Sequence, residues 1–221
     1  GTDSVNTMYN KKMIAMMLTL SMLAASLAGC AGGDDDDTSD WAISMASDVE
    51  VVWVESGWDP IIPNLNAGEM CDVIISAMTK TEARDQVVDF TRAYYTSSQG
   101  VIGGSGSASI SDVSELNAAG ITVGVQSGTT SDIFANGDAD NVANLADATV
   151  SAYDDFPSVI AALNNGDIMY ALGDAPVLSL EGTLMVTFSD ENFGFAVRET
   201  SGELLDALNM AIGAVVDSGE Y

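Results

Sequence analysis

Asp72-Val-Ile-Ile-Ser-Ala-Met-Thr-Lys-Thr-Glu-Ala-Arg-Asp-Gln-Val-Val-Asp-Phe-Thr91 is the stretch on which the fold turns. It opens within a short apolar run, residues 71–76, that suits a parallel strand buried on both faces. The character then changes, and the polar residues from Ser76 onward lead to the guanidinium of Arg84. Open α/β sheets bind ligands at the carboxyl ends of their strands. Outward on the N-terminal side, residues 48–54 alternate and are rich in β-branched side chains, which predicts a strand. Residues 58–68 predict a short helix, with Asp59 as cap, Pro60 in the first turn and Gly68 at the end. Strand, helix, strand in that order implies a right-handed βαβ unit.

Downstream the grammar repeats. Residues 120–126 predict a strand ending in Ser127-Gly-Thr-Thr130, whose glycine and hydroxyls suit a helix entrance with free backbone N–H groups. Residues 156–166 predict a second short helix, followed by a strand over 168–172 and then Gly173-Asp174. Helix, glycine, acidic residue, strand and polar residue thus occur over 65–76 and again over 163–174, which predicts two similar α/β lobes. Residues 103–109, rich in glycine and serine, read as a loop just after a crossover. Apolar residues at helical spacing over 203–216 predict an amphipathic helix.

The N-terminal region carries a different signal. Lys11 and Lys12, the apolar run 13–27 and then Ala28-Gly29-Cys30 form an export signal, shorter than the ~20 apolar residues that span a bilayer. Leu27-Ala-Gly-Cys30 resembles a bacterial lipobox, which implies cleavage before a lipid-bearing Cys30. Cys71 would then be the lone thiol of the mature chain, with no internal disulfide. Translation from Met8 or Met13 would make residues 1–7 a non-native leader. Residues 31–40, small and acidic, predict a solvated tether.

The chain holds 33 acidic and 6 basic residues and no histidine, a formal charge of -27. Such a surface repels nucleic acid phosphates and anionic lipid, so neither is expected as a direct partner. An acidic surface that keeps the chain soluble explains the charge more simply than an acidic binding patch. The composition offers neither the usual zinc ligands nor a Ser-His-Asp triad, and no cofactor is implied.

Three places put polar chemistry at strand ends. Arg84 presents a planar fork that can hold a carboxylate, with the Thr79 hydroxyl beside it. Arg84 pairing with Asp85 or Asp89 is the plainer alternative. Thr129 and Thr130 stand at a helix start that favours an anion, or they are ordinary capping hydroxyls. Asp174 can accept from an ammonium group, or it caps the helix that begins near Pro176. Together a cation, hydroxyl donors and an anion match the two poles of an α-amino acid.

The quoted run, followed by Tyr94-Tyr95, closely resembles the signature of the family 3 solute-binding proteins, the polar amino acid-binding proteins of ABC importers. Val123-Gly-Val-Gln-Ser-Gly-Thr-Thr130, Leu163-Asn-Asn-Gly-Asp167 with Asp174, and Asn192-Phe-Gly-Phe-Ala-Val-Arg198 through Tyr221 match further motifs in order. The resemblance covers about residues 48–221. It implies an α/β, two-lobed periplasmic binding protein (type 2) fold with two crossover strands. Lobe 1 would take residues 41–100 and 190–221, and lobe 2 residues 101–189, after a signal peptide (1–29) and a lipidated tether (30–40).

By position, the resemblance makes Arg84 the partner of the ligand carboxylate, with Thr79 and Thr130 assisting. Ser76, Ala77 and Met78 supply polar and backbone contacts, and Asp174 holds the ammonium. Trp58 falls at a platform for the ligand side chain, or is an ordinary core tryptophan. Lys80 replaces an apolar residue and either faces solvent or biases the pocket toward acidic ligands. The expected partners are an amino acid, an ABC importer permease and the membrane through Cys30, with a monomeric protein outside the cytoplasm. A dehydratase acting on prephenate or arogenate and a ligand-sensing module are the alternatives on this fold.

The family normally has a further strand, between the neighbours predicted at 48–54 and 71–76, and a closing helix beyond residue 221. The sequence therefore predicts an N-terminally deleted, C-terminally truncated member with an incomplete first lobe. If a foreign segment fills the gap, the apolar signal run is the one to do it.

Overall fold

A computed structural model describes residues 28–32 and 52–218 of the chain. The export signal over 11–27, residues 1–7 and the segment 41–47 lie outside the described residues. Contacts divide the chain into two compact units. One takes the described residues through Ser56, then Pro60–Tyr95 and the described residues from Asn192 on. The other takes Gly57–Asp59 and Thr96–Glu191.

The first unit is built on a five-stranded sheet. Its strands are β1 (Ala28–Gly32), β2 (Val52–Ser56), β3 (Val73–Ile74), β4 (Asp89–Phe90) and β10 (Ala196–Val197), in the order β2-β1-β3-β10-β4. Of the two predicted strands, β2 runs on to Ser56, past the predicted end at residue 54, and β3 is confined to Val73–Ile74. They are not neighbours, because β1 lies between them and runs antiparallel to both, with Cys30 opposite Val54 on one side and Ile74 on the other. The position that the resemblance left without a strand is filled by residues 28–32, the last three of the export signal and the first two of the predicted tether, while the apolar run 13–27 lies outside the described residues. The physical demand is plain: β2 and β3 each present backbone N–H and C=O groups that must be paired.

Helix α1 (Ile61–Ala67) joins β2 to β3 and buries Ile61 and Leu65, one turn apart. Its N-cap is Pro60 without a side-chain cap, so Asp59 does not play the predicted part. Gly68 ends it as predicted, in the left-handed conformation at φ 71° that glycine adopts without steric cost. Arg198, just after β10, ties this corner together. Its guanidinium donates to the carbonyls of Leu65 (3.1 Å) and Cys71 (2.8 Å) and pairs with Asp72 at 2.6 Å. Val73, Val197 and Leu204 form the core against Ile75, Phe195, Leu205 and Leu208. Leu204 comes from the long helix α6 (Gly202–Ser218), which the 3.6-residue pattern predicted. Cys71 is 3% exposed and disulfide-bonded, so it is not the lone thiol that lipidation of Cys30 would leave.

The second unit carries β5 (Tyr95–Gly103), β6 (Thr122–Gln126), β7 (Thr149–Tyr153), β8 (Tyr170–Asp174) and β9 (Leu184–Phe193), in the order β7-β6-β8-β5-β9. β6 runs parallel to β7 and β8, and β5 antiparallel to β8. Between them come α3 (Thr130–Asn136), α4 (Phe156–Asn165) and α5 (Ala175–Glu181). Val101, Val123, Val125, Tyr170 and Leu172 make a continuous apolar layer with Leu116, Ala135 and Leu145. No range for β5, β7 or β9 was read from the sequence. β5 begins in the first unit at Tyr95, and β9 ends in it at Asn192 and Phe193.

Candidate functional site

In the first unit the predicted residues lie on the segment that leaves β3. Ser76, Ala77, Met78 and Thr79 are all buried, at 1%, 6%, 1% and 8% exposure. A buried loop must place every backbone group, and here Thr79 bridges to Phe193 while the Met78 carbonyl accepts from Gly194 N–H. Ala77 sits at φ 49°, a left-handed conformation that costs a non-glycine residue roughly 1–3 kcal/mol and is concentrated at functional sites.

Helix α2 (Glu82–Asp85) then starts on Thr81, whose hydroxyl accepts from the Arg84 backbone N–H. This short turn sends the Arg84 side chain back along the loop, where Nη1 donates to the Thr79 carbonyl at 2.9 Å. Arg84 is half-buried. Ser76 to Thr79 and Arg84 are therefore brought together, with the guanidinium braced by the backbone of its own loop. Lys80 is exposed, and its ammonium donates to the Thr91 carbonyl at 2.8 Å.

In the second unit, Thr129, Thr130, Asp174 and Trp58 fall together. Thr129 is the N-cap of α3, its hydroxyl donating to the Gln126 carbonyl at 2.7 Å and accepting from Asp132 N–H. At the helix entrance the Gly128 N–H donates to the Asp132 carboxylate at 2.9 Å. Thr130 donates its hydroxyl to Glu191 Oε2 at 3.2 Å. A hydroxyl that donates to a carboxylate presents its lone pairs to anything else, which suits a cation better than an anion. Trp58 is half-buried, not a core residue, and its indole N–H donates to the Gly128 carbonyl at 3.1 Å.

Asp174 occupies the N-cap position of α5 but makes no side-chain cap. Its Oδ1 instead accepts from Gln99 Nε2 at 2.5 Å, and the Gln99 oxygen accepts a hydrogen bond from Ser131 Oγ. Gln99 and Ser131 are 2% and 1% exposed. Glu191, 5% exposed, is held on its other oxygen by Ser189 Oγ at 3.1 Å. Sequence reasoning missed Gln99, Ser131 and Glu191. No motif marks them: the pairing of β5 with β8 sets Gln99 opposite Asp174, and Ser131 and Glu191 are found only by their bonds to Gln99 and Thr130.

The comparisons with known proteins agree with this architecture. Residues 33–221 match the model of the bacterial extracellular solute-binding proteins, family 3. The chain belongs to that family. Among family 3 relatives, a probable histidine-binding protein of Neisseria gonorrhoeae is 28% identical over 81% of this chain and 68% of its own length. An ancestral arginine-binding protein solved with arginine is 32% identical, covers 81% of this chain and 80% of that one, and superposes with a TM-score of 0.71. The ancestral amino acid-binding protein AncCDT-1, a precursor of cyclohexadienyl dehydratase, is 29% identical, covers 81% and 78%, and gives a TM-score of 0.72. As a family 3 solute-binding protein the chain has the type 2 periplasmic binding protein fold of these neighbours.

Proposed function

We propose that this family 3 protein captures an amino acid outside the cytoplasmic membrane and delivers it to an ABC importer. The observation that carries the reading is Asp174. A carboxylate at a helix start would ordinarily cap its own helix, yet this one is held by a buried amide instead. Arg84 takes the ligand carboxylate, with Thr79 beside it and Ser76, Ala77 and Met78 lining the approach. Asp174 takes the ammonium, Trp58 offers an aromatic face, and Thr129 holds the start of α3. Thr130 assists as an acceptor, which shifts its part from the carboxylate to the cationic side of the ligand. The relatives named for histidine and arginine support a cationic amino acid as the first ligand to test.

Titration calorimetry of the full chain with L-arginine, L-histidine and L-glutamine tests this. One of them is expected to bind at micromolar concentration. Arg84→Ala is expected to weaken binding about 10- to 100-fold, since it removes a charge-assisted hydrogen bond pair worth about 1.5–3 kcal/mol. No binding by any of the twenty common amino acids would sink the proposal. The chain performs no chemistry in this reading. The neighbour described as a precursor of a dehydratase makes prephenate and arogenate turnover the corresponding control.

The lipid anchor at Cys30 and a monomeric, extracytoplasmic state belong to the same proposal; the lipobox of residues 27–30 supports the export and the anchor. The chain has two cysteines, and a sulfur that carries lipid cannot share a disulfide. The anchored form would therefore hold Cys71 as a free thiol.

A further inference from the structure

We propose that Gln99 is the positioning residue of the ammonium site, setting the Asp174 carboxylate for its ligand through a relay that begins at Ser131. This rests on the assignment of Asp174 to the ligand ammonium and adds what that assignment lacks, the group that fixes the carboxylate in place.

Three observations carry it. Gln99 and Asp174 are direct partners in the antiparallel pairing of β5 and β8, so the backbone places their side chains together. Gln99 is 2% exposed, so its amide has no solvent to turn toward. Both ends of the amide are engaged: the oxygen accepts from the Ser131 hydroxyl, and the nitrogen donates to Asp174 Oδ1. The Asp174 carboxylate, which can only accept, makes the orientation one-sided, and the Ser131 hydroxyl then donates to the amide oxygen. Turning the amide over would set its nitrogen against the serine and its oxygen against a carboxylate, losing the bond to Asp174 and opposing two acceptors.

Ser131 is itself fixed by the first turn of α3, whose N-cap is Thr129. The relay therefore runs from a helix start, through a buried amide on a strand, to the carboxylate at the end of the neighbouring strand. Partners of this kind hold a binding group in its productive orientation without touching ligand.

The test uses the full chain with Gln99→Met, Ser131→Ala and the double variant, each checked for wild-type circular dichroism. L-arginine, L-histidine and L-glutamine are the probes, and the α-hydroxy analogue of whichever binds supplies a ligand without the ammonium. Gln99→Met is expected to weaken the amino acid about 10- to 100-fold while leaving the hydroxy acid within about threefold. Ser131→Ala is expected to weaken the amino acid about 3- to 10-fold alone and to add nothing to Gln99→Met. Amino acid affinity within twofold of wild type in a folded Gln99→Met overturns the proposal. So do equal losses for both ligands, or additive losses in the double variant. Should Gln99→Met not fold, Ser131→Ala decides alone: unchanged affinity, or equal loss for both ligands, overturns it. If the wild-type chain binds no amino acid, the functional assignment has failed, which is a separate result from a wild type that binds and variants that bind equally well.

Discussion

Arg84 and Arg198 carry the same guanidinium and meet different surroundings. Arg198 is enclosed by two carbonyls and the Asp72 carboxylate, a structural clasp between β3, α1 and β10. Arg198→Ala would leave the Leu65 and Cys71 carbonyls without this donor, and should lower stability by roughly 2 kcal/mol. Urea denaturation followed by tryptophan fluorescence measures that loss, and ligand affinity should be little changed. At the 3-10 turn Val113–Leu116, Asp112 is the N-cap and Glu115 lies within the turn, the two forming a capping box. Hydrogen bonds from the Ser114 side chain and backbone hold the Asp112 carboxyl below its ordinary value. Those from the Ser111 backbone and side chain and the Asp112 backbone do the same for Glu115. A depressed folded value means that the stabilisation is present above the ordinary carboxylate range, about pH 4, and is lost as pH falls through the folded values. Carboxyl resonances followed by NMR should titrate at lower pH for Asp112 and Glu115 than for the same residues in a short peptide. Equal midpoints would remove the capping box as their cause.

At the scale of elements, β1 is the strand with two possible fates. In the sheet it pairs β2 over Ala28 to Gly32 and β3 over Cys30 and Ala31. Cleavage before Cys30 would remove two of the five pairs with β2 and leave both pairs with β3 unbroken. A lipid on Cys30 is another matter, because a residue held between two strands cannot also sit in a bilayer. Anchored protein should therefore release β1 and leave β2 and β3 without their shared partner. Amide exchange at Val54 and Ile74 is expected to be faster in lipidated protein than in the uncut chain. Equal protection in both would show that the sheet does not depend on β1. The same strand order explains why the predicted βαβ unit was incomplete. Pattern alone gave the two parallel strands and α1 but could not say what lies between them.

For the whole molecule, charge is the dominant fact. A chain with a net charge of -27 repels itself in the compact state, and the repulsion is screened as the Debye length falls from about 30 Å at 0.01 M salt to about 10 Å at 0.1 M. The melting temperature should rise as sodium chloride is increased from 0.01 to 0.5 M, by several degrees. A flat salt profile would mean that counter-ions already bound to the protein have neutralised the acidic surface.

Features that depend on local order can be read from the order of residues. The buried strand running into polar residues at 76–84, the helix stops at Gly68 and Gly166 and the amphipathic face of α6 were all legible, because backbone conformation and periodicity are written residue by residue. Arg84, Thr79 and Asp174 were legible as candidates for the same reason, Asp174 at the end of β8 and the other two on the segment that follows β3. Tertiary structure alone decided what those candidates meet. Register set Gln99 beside Asp174, and the return of β9 brought Glu191 to Thr130. Pairing between distant segments placed β1 in the gap. Contacts across 61 to 75 residues of chain leave no local trace in composition, since they are fixed by which strands share hydrogen bonds.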